Sequence, residues 1–586
     1  MMKNKYNKII CALCVVCGLT SCSDFLDIKP QSEIILEDFW NEKADVDNVV
    51  TGCYSALQSD GVRRRMMIWG EARSENVMSG PTINNDINLE NVLKENITAM
   101  NSYTTWDGFY DVINRCNTVL KYAPEVAAKD PSYTQGDLNA TIAEVTALRS
   151  LAYFYLIRTF RDVPFSREAF TDDDQKMDLE ATPFNDVLNN LIEDLESVKD
   201  KAVQRYPETK PRYQAGRITQ DAIHAMLCEM YLWKQDYNNC IKYADLVIES
   251  KKEIEEENEK KSKMASSEAK AALEKRLEGF PLVNDNLTGN TFGVAFRTIF
   301  VEGASKESIF ELNYDENPAG SGMLANSAVS ALYGNSRDRG LLVGSKFVKE
   351  DNEATSQRVI FEDKNKRLDA RLYTNCDAST DGNPIMKFAA QSLTIDGSST
   401  SDPKLRSYSL YAQNNNSSPW VIYRLSDIML LKAEALCEQM QEGSEDAVLE
   451  YNKPLQAKVF QLVNVVNKRS ICKKELAASD TLQPADYTSK LQMTNLVKRE
   501  RQRELMYEGK RWYDLVRYAM RAGNTQEVIT AVMRREDVNK QFSQNFFKKM
   551  DAIYWPYNIE ELKVNRNLVA NPAFSSGENS SYEQSK

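Results

Sequence analysis

The chain has 586 residues, 42% of them hydrophobic and 27% charged, with 73 basic against 85 acidic side chains and a net charge of −12. That length exceeds what one small core needs, and the composition is that of a soluble folded protein. The acidic balance argues against a nucleic-acid partner, which demands concentrated positive charge. The single histidine, His224, excludes a His-rich zinc site and leaves one imidazole for any Ser-His or Cys-His mechanism.

At the start, Lys3, Lys5 and Lys8 precede an apolar run, Ile9 to Leu19. The run is too short to span a bilayer, which takes roughly twenty residues, and it has the layout of a secretory signal. No other stretch reads as apolar for long enough to span. Leu19-Thr20-Ser21-Cys22 then resembles a bacterial lipobox. Small residues fit a narrow peptidase site, and a thiol is the group that carries a thioether-linked diacylglycerol. Residues 1–21 are expected to be a lipoprotein signal peptide and 22–40 a lipidated tether. Diacylglycerol and an acyl chain such as palmitate on Cys22 would bury enough CH₂ groups for stable anchoring. No other cofactor and no metal is expected, and Cys14-Val-Val-Cys17 lies inside the segment to be removed.

The mature chain opens with a helical pattern, Val46, Val49, Val50 and Cys53 lying on one stripe. A second follows with Phe109, Val112, Ile113, Cys116 and Leu120, and Pro124 comes after it. A long third segment, "NATIAEVTALRSLAYFYLIRTFRDVPF", is apolar around more than half its circumference and is expected to be buried, ending near Pro164. "RITQDAIHAMLCEMYLWKQDYNNCIKYADLVIES" reads as two helices across a tight turn, with Thr219 as a cap. Its middle resembles a tetratricopeptide repeat, with Cys240 standing where such repeats usually carry alanine. "RLSDIMLLKAEALCEQ" and the segment after Gly443 look like a further degenerate pair. His224 is expected to be a structural imidazole on a helix face. The scattered cysteines are expected to be small core residues, and Trp106 and Trp512 to be core as well.

Between the helices, residues 251–279 are dense in Glu and Lys and read as an exposed helix or excursion. Residues 281–420 are rich in Gly, Asn, Ser and Asp, with strand-like pieces such as "SIFELNY". Long loops on a rigid scaffold are where binding usually resides. Sugar rings stack on aromatic faces while their hydroxyls seek Asn, Asp, Arg and backbone groups. The loop-like aromatics and polar neighbours are therefore the expected ligand contacts: Trp69 with Glu71, Arg73 and Asn76, then Tyr314, Tyr333, Tyr411 and Trp420.

Four segments together resemble the SusD/RagB family of Bacteroidetes surface lipoproteins: "SCSDFLDIKPQSE", "AEVTALRSLAYFYLIRTFRDVPF", "RLSDIMLLKAEAL", and "KRERQRELMYEGKRWYDLVRY" with "YWPYNIEELKVNRNLVANP". The early Asp24 and Asp27 resemble that group's surface-export signal. Trp555-Pro556-Tyr557 departs from the family's proline-isoleucine-proline. The resemblance implies a mainly α fold of tetratricopeptide-like helix pairs over 41–572, with a loop-rich ligand face at about 281–420 and a polar tail at 573–586. It also implies a SusC-like TonB-dependent transporter as partner, an oligosaccharide or in some members a peptide as ligand, and the outer-membrane surface as location.

Glu500, Glu504 and Glu508 recur every fourth residue and suggest the paired carboxylates of a glycosidase. The interleaved Arg499, Arg501, Arg503, Lys510 and Arg511 favour an ion-paired helix face instead. "GLLVGSK" lacks the spacing of a phosphate loop, and Asp172 to Asp174 lack that of an EF-hand. The expected function is capture of a nutrient glycan and its delivery to the transporter without catalysis. The alternatives are a surface glycoside hydrolase and a helical scaffold for surface assemblies.

Overall fold

The structure is a computed structural model that describes residues 39–172, 174–261, 273–285, 291–315, 325–334, 340–349, 360–361, 369–375, 383–388, 390–396, 404–410 and 417–574. Much of the expected loop-rich region, the lipobox and the polar tail lie outside them.

The fold is mainly helical, with a row of antiparallel neighbours in chain order. Helix α1 (Lys43–Leu57) is followed by α2 (Asp60–Glu71), the short strand β1 (Val77–Ser79), α3 (Asp107–Lys129) and α4 (Gln135–Phe160). Then come α5 (Phe184–Val198), α6 (Gln220–Trp233) and α7 (Tyr237–Lys261). Contacts run α1 to α3, α3 to α4, α4 to α5, and α5 through α6 to α7. Helix α4 starts in a capping box between Thr134 and Asp137 and stops at Arg161, whose φ of 70° no helix accommodates. Every residue from Ala143 to Phe160 is buried, so α4 forms the centre of the core. It is also long and apolar enough to cross a membrane, which its sequence did not suggest, but 89% of its most apolar window is covered by protein. Pro124 does not end α3. The helix runs on to Lys129, because Val126 and, in part, Ala127 are packed into the core beyond it.

Thr219 caps α6 by accepting from the Ala222 N–H, as its sequence indicates. Across the turn, Cys228 and Cys240 meet with their sulfurs 3.7 Å apart, both buried. His224 is buried in the same pair with its ring 5.5 Å from that of Tyr243. Lys251, in the charge-dense stretch, is also buried and donates to the Ser308 carbonyl at 2.5 Å.

Beyond α7 the chain forms β2 (Ser308–Leu312), β3 (Leu342–Gly344), β4 (Ala390–Asp396), β5 (Lys404–Leu410) and β6 (Trp420–Arg424). β2 and β6 pair antiparallel, Ser308 opposite Arg424 and Leu312 opposite Trp420. The whole excursion from 313 to 419 therefore leaves and rejoins the scaffold at one ladder. β3 pairs with β1, and β4 with β5, so segments of the excursion are also tied to the strand that follows α2 and to each other. The helical row resumes with α8 (Leu425–Gln439), α9 (Asp446–Arg469) and α10 (Lys490–Leu505), which share a second hydrophobic cluster. It continues with α11 (Arg511–Ala522) and α12 (Gln526–Val532), and the short helices Lys540–Phe546 and Ile559–Val564 follow. Trp555 and Tyr557 then lock the end of α4. The Trp555 N–H donates to the Thr159 carbonyl at 2.8 Å, and the Tyr557 hydroxyl to that of Asp162 at 2.6 Å.

Candidate functional site

The structure places the described candidate contacts inside the protein, which corrects the expectation of an exposed aromatic set. Trp69 lies on α2, not in a loop. It stacks on Phe109 at 4.9 Å and donates to the Tyr103 carbonyl at 2.8 Å. Glu71 accepts from the N–H groups of Tyr507 and Gly509 and from Asn76 Nδ2 at 3.1, 3.2 and 2.8 Å. Burial pushes its carboxyl up to about 7. Asn76 also holds Gln502 Nε2 at 2.8 Å. Arg73 pairs with Glu95 at 2.9 Å, donates to the Ala552 and Ile553 carbonyls, and lies 4.4 Å over the Trp512 ring. Tyr314 is buried beneath Arg63, and Tyr333 donates to the Tyr507 carbonyl at 2.9 Å. Trp420 packs on Phe388 with ring centroids 5.3 Å apart. Their polar neighbours are thus spent on distant main chain rather than offered to solvent. Tyr411 and Cys22 lie outside the described residues. Trp106 and Trp512 are core, as expected.

The three spaced carboxylates are ion-paired as expected, but within the interior and with different partners. Glu504 accepts from Arg424 at 2.6 Å, from Arg371 at 3.0 Å and from Arg469. Glu508 is gripped in bidentate fashion by Arg424 at 2.7 and 2.9 Å and by Lys387 at 2.6 Å. Glu500 accepts from Arg371 at 2.7 Å and Arg503 at 3.2 Å. Glu307, beside β2, completes the cluster through Arg469 at 2.7 Å. Burial alone raises the Glu504 and Glu508 carboxyls, but the guanidiniums outweigh it and hold both below the usual carboxylate range. Arg371 and Lys387 come from within the excursion, whereas Glu307 and Arg424 flank it. The network therefore fastens the excursion to α10. Of the interleaved bases, Arg501 and Lys510 turn to Asp427, and Arg511 to Glu75.

One solvent-open groove, of about 670 Å³, lies beside this anchor. Asn495, Lys498, Arg499 and Gln502 line it from α10, at the i, i+3, i+4, i+7 spacing of one helical stripe. Gln526, Thr530 and Arg534 face them from α12 and the turn after it, with Phe347 and Gln544 at the margin. The stripe was readable in the sequence. It is masked because "KRERQRE" looks like one charged face, whereas the helix turns its carboxylates inward and Asn495, Lys498 and Arg499 toward solvent.

A row of helix pairs holding an ion-anchored excursion, with a polar groove open to solvent, defines a helical binding scaffold. The comparisons place it further. A family model described as the SusD family matches residues 288–574, and one described as "Starch-binding associating with outer membrane" matches residues 24–232. The chain belongs to the SusD/RagB family. It is similar to SusD-like protein P38 of Formosa agariphila, 25% identical over 525 residues, covering 85% of this chain and 88% of that one. A SusD superfamily structure from Bacteroides thetaiotaomicron shares the fold at TM-score 0.61 and 19% identity, covering 92% of this chain and 99% of the other. So does surface glycan-binding protein A of the same organism, in complex with laminarihexaose, at TM-score 0.58 and 17% identity, covering 91% and 100%.

Proposed function

We propose that this protein is a lipid-anchored, surface-exposed receptor that binds a nutrient oligosaccharide and passes it unchanged to a SusC-like TonB-dependent transporter. The observation that carries this reading is the role of Glu500, Glu504 and Glu508 as buried anchors of an excursion on a rigid helical row. Glycosidase chemistry needs one carboxyl kept protonated and a second facing it across a water-filled cleft. Carboxylates wrapped in guanidinium and shut away from water serve to hold a binding surface in place. The glycan as ligand class is supported by the laminarihexaose complex of the structural neighbour, and the anchor by the lipobox at Cys22.

The test is calorimetric titration of the full-length mature protein with a panel of oligosaccharides, with chromatography of each after overnight incubation. Reversible binding with unchanged chain length is expected, together with co-purification of a large membrane barrel and an acylated Cys22 by mass spectrometry. Shortened products would favour the hydrolase, and capture of soluble proteins without any glycan binding would favour the scaffold.

A further inference from the structure

In a protein of net charge −12, the groove between α10 and α12 holds a cation whose ion pair is long and made without a hydrogen bond. Lys498 pairs with Glu527 at 2.5 Å. Arg511 takes Glu75 in bidentate fashion, Nη2 to Oε1 at 2.7 Å and Nε to Oε2 at 3.3 Å. Arg534 is left 3.6 Å from a carboxylate that is already engaged, and its guanidinium makes no hydrogen bond among the described residues. It is held flat by Phe347, 4.5 Å from the ring centroid, with 31% of the side chain exposed to the groove. Burial lowers its tendency to hold a proton, Glu75 and Glu527 oppose that, and Arg511 and Arg499 add to it. The groove lining carries Lys498, Arg499, Arg511 and Arg534 against Glu527 alone, so it is rich in positive charge.

We infer that Arg534 is the receptor for the carboxylate of an acidic sugar, and that this groove binds uronic-acid-containing oligosaccharides. A planar guanidinium presents paired N–H donors that match a carboxylate in bidentate fashion, and stacking on Phe347 pre-orients it. Around it, the exposed amides of Asn495, Gln526 and Gln544 line the groove and offer donors and acceptors of the kind sugar hydroxyls seek. Among the described residues that line the groove, the one aromatic ring, Phe347, is covered by Arg534. Recognition there rests on charge and amides, which suits an acidic rather than a neutral glycan. The inference rests on the glycan-receptor reading and specifies its ligand.

Calorimetry with oligogalacturonate and oligoalginate hexamers, and with a neutral glucan hexamer, tests it on the mature protein. At least one uronide is expected to bind, at least tenfold more weakly in Arg534→Gln and in 0.5 M salt. Arg534→Lys should be intermediate, because it keeps the charge and loses the fork. Thermal melts check that the variants are folded, as a surface-reaching guanidinium with no hydrogen bond should allow. Uronide binding that is indifferent to Arg534→Gln overturns the inference. So does binding of the neutral hexamer alone, which leaves the glycan-receptor reading intact. Failure to bind any oligosaccharide overturns both.

Discussion

His224 shows what one side chain contributes once packed. Burial in the α6–α7 pair lowers its imidazole to about 4. An unfolded imidazole near 6.5 takes up a proton that the folded one refuses, so this burial costs stability as pH falls from about 6.5 toward 4, and costs nothing above that window. Between pH 7.5 and pH 5 the wild type should lose about 2 kcal/mol more than His224→Gln, read from urea midpoints. Equal losses would refute the burial argument. Glu71, raised to about 7, titrates with the opposite sign in an overlapping window, but it is common to both proteins and cancels in the comparison. At this scale the sequence was legible for His224 and the core cysteines, which sit on regular apolar patterns. It was not for Trp69, Glu71, Arg73 and Asn76. Composition does not distinguish a polar side chain facing water from one bonded to a main chain more than four hundred residues away.

At the scale of elements, the helix pairs around Thr219 and Gly443 were readable because capping residues and 3.6-residue periodicity act locally. What joins distant elements was not. Helix α2 touches the turn after α10 so closely that a Cβ on Gly70 would sit 1.8 Å from the Gly509 carbonyl oxygen, while Gly509 itself needs φ of +67°. Glycine at both positions lets two backbones meet where side chains would separate them. Gly70→Ala should destabilise the fold by at least about 3 kcal/mol, or abolish soluble expression, whereas Gly136→Ala, with only a side-chain atom 3.7 Å away, should be close to neutral. Parallel urea melts decide between them. The contact leaves no mark in either local pattern, since each glycine alone reads as an ordinary turn or helix residue.

Across the whole molecule, the buried charge network sets how the excursion and the scaffold share stability. Glu504 alone answers three guanidiniums from β6, α9 and the excursion. Removing its charge leaves buried cations short of a counter-ion, at about 3–5 kcal/mol. Glu504→Gln should therefore lower stability by that amount. It should expose the amides of β2 and β6 to hydrogen exchange while α4 keeps its protection. Uniform loss of protection would mean that the network serves the core as a whole. The paired ladder of β2 and β6 has a further consequence. Because both ends of residues 313–419 depart from neighbouring positions, that stretch behaves as a cassette. Its length and composition can change without redesigning the frame, provided that the ladder, the strand pairing with β1 and the arginine and lysine that plug it in are kept.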